Sequence, residues 1–564
     1  MSRLMKGRFS KIVSKYKLFV LGFVTGSSLL FLAAKSTDTY FEISKNLDIY
    51  TSLFKELSTY YVDPIEPGKL IKSSIDNMLD ELDPYTNYIT ESDIEEYEFQ
   101  TTGKYGGIGT TMRKSGDEIV VGEVYEFSPA DKAGLHPGDK VIAIEGEAIK
   151  GKSMEDISLL LKGSPGTFIK VKLKDAYTGA EMEKTIKRSE IELSSVPYAG
   201  FVGENGNTGY VKLTQFTPHC SRLVRKALDS LKKTNPNMSS VVLDLRNNPG
   251  GLLSEAVSIC NLFVDKGQLV VSTKGRLKEW QQDFKTTQAA WDTEIPLAVL
   301  INRSSASASE IVAGTMQDLD RGIVVGVRSY GKGLVQTTRP LGYNARLKLT
   351  TAKYYTPSGR CIQALDYSHR NADGSVGEIP DSLKKEYKTA SGRKVLSGGG
   401  VEPDIPVVDE PTSMLAITLY VKGLFFDYAT VYGKKHPQLG DAKAFAISKN
   451  DFAAFAKWLE DKDYAYKTET EIALDSLKSI ATREKYFSDI EKEYKQLENN
   501  LSHDKKQDLY KHEKEVTYLL ESEIVSRYHY LRGRIEHGLN NDQDLDFALK
   551  TLSAPKDYKA LLKP

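Results

Sequence analysis

Hydrophobic and polar positions change period several times along the chain, and each change marks a segment. Positions 18–34, LFVLGFVTGSSLLFLAA, carry no charge, and Arg3, Lys6, Arg8, Lys11, Lys15 and Lys17 precede them with no acid among them. A basic flank before an apolar run predicts an amino-terminus in the cytoplasm and a remainder exported across the membrane. The run is at the short end for a span. It fits an uncleaved anchor or a cleaved signal, and the lack of a clean small-x-small site at Leu32-Ala33-Ala34 favours the anchor. From Tyr40 to Glu98 apolar residues recur at helical spacing (Ile49, Leu53, Leu57, then Leu70, Ile75, Met78, Leu79, Leu82), punctuated by Pro64, Pro67 and Pro84. From about Thr101 to Lys187 the pattern turns to short β-type runs, EIVVGEV, KVIAIEG and FIKVKLK, around one helical segment, Ser153 to Lys162.

Between about Pro197 and Asp404, strand-like runs (GYVKL, VVLDL, LAVLI, GIVVGV, LKLTTAKYY) alternate with helices. Unbroken apolar runs such as the one beginning at Ser240 predict strands buried on both faces, and so an α/β core. Beyond Val408 the chain reads as helical and rich in Lys, Glu and Tyr, with a solvated face around Glu491–Glu498. No internal repeat of solenoid length is evident.

Composition narrows the function classes. At about 150 residues per domain, 564 residues make three or four folded units. Lys plus Arg and Asp plus Glu each number 76, so the basic excess that nucleic-acid binding requires is missing. Cys220, Cys260 and Cys361 are far apart and form no C-x-x-C, which predicts neither a disulfide framework nor a zinc site. Neither H-E-x-x-H nor G-x-x-x-x-G-K-[ST] occurs, so no metal or other cofactor is expected.

Gly106-Gly107-Ile108-Gly109 precedes a predicted strand. Glycines let successive amides converge on an anion, and such a loop beside a strand edge binds a peptide carboxylate. Taken alone, the loop reads more simply as a plain hairpin turn. Downstream come Ser128-Pro129-Ala130 to His136-Pro137-Gly138-Asp139, a buried strand, the 153–162 helix and Gly163-Ser164-Pro165-Gly166-Thr167. The whole stretch resembles a PDZ domain. The resemblance implies a groove, between the strand after Gly109 and the 153–162 helix, that captures a free peptide carboxyl-terminus.

Two stretches carry candidate chemistry. In the first, the strand-like Leu297–Asn302 leads through a polar turn to Ser307-Ala308-Ser309-Glu310 and an apolar helix. This geometry presents a side chain at the end of a sheet beside free helix amides. Ser307-x-x-Glu310 is also a capping-box pattern, so Ser307 could simply start the helix. In the second, Ile323 to Gln336, Lys332 stands between two glycines after a buried strand, and alone reads as an exposed loop lysine. Together, S-A-S-A-S-E, G-K-G-x-V-Q, the 25-position spacing of Ser307 and Lys332, Asp244-Leu-Arg-Asn-Asn-Pro-Gly-Gly251 and Thr351–Gly359 closely resemble the C-terminal processing peptidases, the tail-specific serine proteases.

That resemblance implies Ser307 as nucleophile, Lys332 as general base and Gln336 as the residue orienting the lysine. It also implies two oxyanion donors, the amide of Ala308 and that of Gly250 or Gly251, between which the sequence does not choose. A lysine base must be neutral, about three pKa units below its free value of roughly 10.4, which desolvation can supply. No acid lies within five positions of Lys332 to hold its proton. His136, His219 and His369, the histidines between positions 100 and 405, fall in no motif and read as ordinary surface or packing residues.

The resulting expectation is a mixed α/β chain with a crotonase-like protease core (191–407), a PDZ-like β-rich module (99–190), a helical amino-terminal region (37–98), a helical carboxyl-terminal region (408–564) and an anchor or signal (1–36). It would be an exported serine endopeptidase on the periplasmic side of the cytoplasmic membrane, held there by one span. Its partners would be protein tails and the membrane, with no nucleic acid, and helical flanks suit homodimerisation. The competing readings are a non-catalytic tail-binding scaffold and a crotonase-like acyl-transfer enzyme.

Overall fold

The computed structural model describes residues 40–371, 373–408, 411–501 and 505–564. The apolar run at 18–34, expected as an anchor or signal, lies outside the described residues. Among the described residues no single helix is long and apolar enough to cross a membrane.

The chain forms two compact units, Met1–Pro84 and Tyr85–Pro564. The described part of the first is a helix over 40–60 followed by the helix Pro67–Asp80. Pro67 sits in the first turn of that second helix, where its missing N–H breaks no intrahelical bond. The second unit opens with the strand Asn87–Ile89, which pairs antiparallel with Arg346–Tyr355. The helical region expected over 37–98 thus also holds one strand, whose three residues are too few to show a period of two. The helix Ile94–Thr102 follows and ends at Gly103, whose φ of 72° is the left-handed cap glycine tolerates.

The β-rich module is an antiparallel sheet with successive neighbours Thr110–Ser115, Glu118–Val124, Lys140–Ile144, Phe168–Lys174 and Glu181–Lys187. The helix Met154–Leu161, started by a Ser153/Asp156 capping box, packs Ile157 and Leu161 onto Val121, Ile144 and Val171.

The α/β core is built on a six-stranded sheet ordered Tyr198–Val202, Thr208–Lys212, Ser240–Asp244, Leu297–Ile301, Ile323–Gly326 and Ile405–Pro406. The first pair is antiparallel and the others parallel. Every residue of the three middle strands is buried, which is why they read as unbroken apolar runs. Alternate side chains serve opposite faces. Val241, Leu243, Val299 and Ile301 meet the helices Cys220–Thr234, Leu253–Phe263 and Ala308–Asp318. Val242, Ala298, Leu300 and Val325 meet Leu545, Ala548, Leu552 and Tyr558 from the last two helices, Gln543–Leu552 and Pro555–Leu561. The end of the chain is therefore core material, each large apolar side chain contributing about 1.5–3 kcal/mol. The solvated face expected near Glu491–Glu498 is present on the helix Phe487–Leu501, where Tyr494 alone is buried.

Candidate active site

The strand Leu297–Ile301 runs through a polar turn into the helix Ala308–Asp318, and Ser307 stands at the junction with φ 55° and ψ −112°. A residue bearing a Cβ rarely occupies that region, and the surroundings must hold it there. Glu310 does so. Its carboxylate, fully buried, accepts the Ser307 amide at 2.8 Å on Oε2. The same oxygen accepts the Lys332 amide at 2.9 Å, while Oε1 accepts the Ser329 hydroxyl at 2.6 Å and the Gly331 amide at 2.7 Å. One carboxylate thus ties the backbone of the serine turn to that of the lysine loop. Burial pushes the Glu310 carboxyl up to about 7, against the pull of its four donors. The Tyr354 hydroxyl adds a second tie, 2.6 Å from the Lys332 carbonyl and 3.0 Å from that of Ser307.

Lys332 lies between Gly331 and Gly333. A Cβ on Gly331 would fall 2.4 Å from that of Ala364, so only glycine fits there. The Lys332 amine stands over the Tyr85 ring, 4.1 Å from its centroid. Gln336 is in the strand Leu334–Pro340, just past a register shift, opposite Thr350, and donates to the Thr350 hydroxyl at 3.1 Å. Ser307, Ala308, Lys332, Gln336, Gly250 and Gly251 all line one cavity of about 470 Å³. Among the described residues no histidine lines it.

The oxyanion candidates sit on the turn after the strand Ser240–Asp244. Gly250 and Gly251 have φ of +102° and +142°. A Cβ on Gly250 would lie 2.8 Å from both the Ala306 carbonyl oxygen and the Ser307 Cβ, so glycine there allows the two turns to meet. The Gly250 amide donates to Asn248 Oδ1 at 2.9 Å. Among the described residues the Gly251 amide has no intramolecular acceptor, and the Ala308 amide, first in its helix, has none either.

A second cavity, of about 310 Å³, runs between the strand Thr110–Ser115 and the helix Met154–Leu161, lined by Ile108, Met112, Tyr125, Met154 and Leu161 among others. Of the four loop residues expected to hold a carboxylate, Ile108 lines this groove. Gly106 and Gly107 instead belong to the strand Lys104–Gly107, paired with Ser189–Glu192, which corrects the reading of a free amide nest. Glycine is needed at 106 because the Gly163 carbonyl would sit 2.3 Å from a Cβ, and at 109 because the Ser128 Cβ would sit equally close. The helix Ile94–Thr102 borders both cavities: Glu96 and Phe99 line the groove, and Tyr97, Gln100 and Thr101 line the Ser307 cavity. Glu96 pairs with Lys162 at 3.0 Å.

Sequence reasoning missed three site residues. Glu310 was visible only as a cap. The absence of an acid near Lys332 in sequence does not hold in space, where the Glu310 carboxylate reaches the Lys332 amide. Tyr85 and Tyr354 gave no signal beyond Tyr354 lying in the Thr351–Gly359 motif.

Family models match as "Peptidase family S41" over residues 207–367, "PDZ domain" over 120–175 and "Probable PDZ-protease, C-terminal helical domain" over 415–552. A carboxy-terminal-processing protease of Bartonella bacilliformis is 35% identical over 390 residues, covering 69% of this chain and 88% of that protein. A probable CtpA-like serine protease of Staphylococcus haemolyticus is 30% identical over 437 residues, 77% and 79% of the respective chains. Among solved structures, the photosystem II D1 C-terminal processing protease is 26% identical, with 64% of this chain and 88% of that one covered and a TM-score of 0.34. By these matches the chain belongs to peptidase family S41, as a carboxy-terminal-processing serine protease with a PDZ domain and a C-terminal helical domain.

Proposed function

We propose that this protease seats the free carboxyl-terminus of a protein tail in the groove beside Met154–Leu161 and cuts the tail with a Ser307–Lys332 dyad. The observation that carries the reading is the meeting, in one cavity, of Ser307, Lys332, and the amides of Gly251 and Ala308, which among the described residues have no intramolecular acceptor. Neutral Lys332 takes the Ser307 proton as the hydroxyl attacks the scissile carbonyl. The Gly251 and Ala308 amides receive the developing oxyanion, and Gly250 supplies the close approach. Lys332 then returns its proton to the leaving amine, the tail fragment departs, and water hydrolyses the acyl-enzyme by the reverse transfers. Gln336, fixed by Thr350, has a neutral side chain that can orient the amine without raising its pKa. A cation over an aromatic face is favoured, so the Tyr85 contact belongs to the ammonium, and base action requires the amine to lose that proton or leave the ring.

The Ile94–Thr102 helix, shared by both cavities, supports delivery of a tail from groove to serine, where tethering raises its effective concentration. In this reading the 18–34 run exports the catalytic unit and keeps it at the membrane. Mass spectrometry of tail fragments tests the dyad. Ser307→Ala and Lys332→Ala should each lower turnover by roughly 10³-fold or more, and Ser307→Ala should bind a tail peptide as the wild type does. Full turnover by either variant overturns the reading.

A further inference from the structure

The turn bearing Gly250 and Gly251 begins at Arg246, whose side chain is 15% exposed and almost wholly occupied by carboxylates. Asp244 takes its Nη2 at 2.6 Å and its Nε at 3.1 Å. The remaining partners come from the far end of the chain. Asp542 accepts Nη1 at 2.7 Å and Nη2 at 2.6 Å, and Asp544 accepts Nη1 at 2.9 Å. Asp542 is itself fixed, because it caps the helix Gln543–Leu552 through the Leu545 amide at 3.1 Å, and that helix is seated on the central sheet. Asp244 is fully committed too: it also accepts the Tyr210 hydroxyl at 2.5 Å, Lys212 at 3.0 Å and the Arg246 amide at 2.8 Å.

From Arg246 the connection to the reacting groups is short and runs through the backbone and side chains of two facing turns. Lys212 donates to the Arg246 carbonyl at 2.8 Å. The Asn247 amide donates to Asn302 Oδ1, and Asn302 Nδ2 donates to Asn247 Oδ1, both at 2.9 Å. The Asn248 carbonyl accepts the Ala306 amide at 3.0 Å and the Ser309 hydroxyl at 2.9 Å. The glycine turn and the serine turn are thus laced together, and the arginine that starts the lacing is clamped by the C-terminal helical domain. Bidentate arginine–carboxylate pairs fix orientation as well as distance.

We propose that Asp542 and Asp544 are positioning residues for the oxyanion hole, acting through Arg246, so that the C-terminal helical domain is part of the catalytic unit. This rests on the dyad reading above. Without the two carboxylates the guanidinium keeps one partner and swings with Asp244, and the Gly251 amide loses its fixed relation to Ser307. The substrate groove lies elsewhere, so the defect falls on the chemical step.

The test is steady-state kinetics on the full chain with Asp542→Asn, Asp544→Asn, the double variant and Asp544→Glu. The double variant should lower kcat by roughly 10- to 100-fold, the scale set by misplacing a catalytic donor. KM for a tailed substrate should stay within about twofold, and affinity for a peptidyl aldehyde, whose adduct carries the oxyanion, should fall with kcat. Asp544→Glu, which keeps the charge, should recover most of the loss. An unchanged kcat in the double variant overturns the proposal, as does a loss that vanishes at a temperature where melting shows the variant fully folded. If Ser307→Ala stays active, the dyad reading has failed. If it is inactive while the double variant has wild-type kcat, this inference alone has failed.

Discussion

Glu310→Gln separates positioning from stability at the site. The wild-type carboxylate accepts four donors at 2.6–2.9 Å while fully buried. Glutamine has one carbonyl oxygen, and its NH2 must face one donor pair. Turned toward Ser329 and Gly331, it lets the hydroxyl reverse but leaves the Gly331 amide unpaired. Turned the other way, it strands the amides of Ser307 and Lys332. Each stranded amide costs about 1–3 kcal/mol, enough to shift the lysine loop and lower kcat roughly 10²-fold at pH 8. Stability should move differently. Burial raises this carboxyl from 4.5 in the free residue to about 7, so the folded chain keeps a proton that the unfolded chain releases. Its contribution is complete below about pH 4.5 and falls by about 3 kcal/mol as pH climbs through 7. The variant lacks that proton, so its deficit in stability relative to wild type should shrink between pH 5 and 8. Its deficit in kcat should widen over the same range, because wild type gains the ionised clamp. Denaturant melts and kcat measured at each pH give both quantities. A variant kcat within about threefold of wild type at pH 8 would refute the clamp, and so would a kcat deficit that follows the stability deficit.

Gly250→Ala places a Cβ 2.8 Å from the Ala306 carbonyl oxygen and from the Ser307 Cβ, at a φ of +102°. It should lower kcat by at least about 10²-fold with tail-peptide affinity retained, a split that kinetics and a binding titration report; normal kcat would show that the close approach is dispensable. Met154→Asp puts a charge on the apolar wall of the groove. It should weaken tail-peptide binding by roughly tenfold or more while leaving labelling of Ser307 by a small fluorophosphonate unchanged. Unaltered tail affinity would place the tail outside this groove.

Residue order along the chain already told much of this. The strand after Ser240 is legible because both its faces are buried and it must be apolar throughout. Ser307 and Lys332 stand in short motifs whose glycines and small residues answer backbone crowding, so local spelling exposes them. Partners chosen across the fold left no such trace. Glu310 reads as a helix cap until the Lys332 loop folds against it. Gly250 and Gly251 look interchangeable until Asn248 claims the amide of the first. Asp542 and Asp544 stand 296 and 298 positions from the arginine they hold. Periodicity records which face of an element is covered, because burial acts on each residue separately. It does not record which distant group supplies the cover or the acceptor, because hydrogen bonds and ion pairs depend on relative placement, which exists only once the chain has closed on itself.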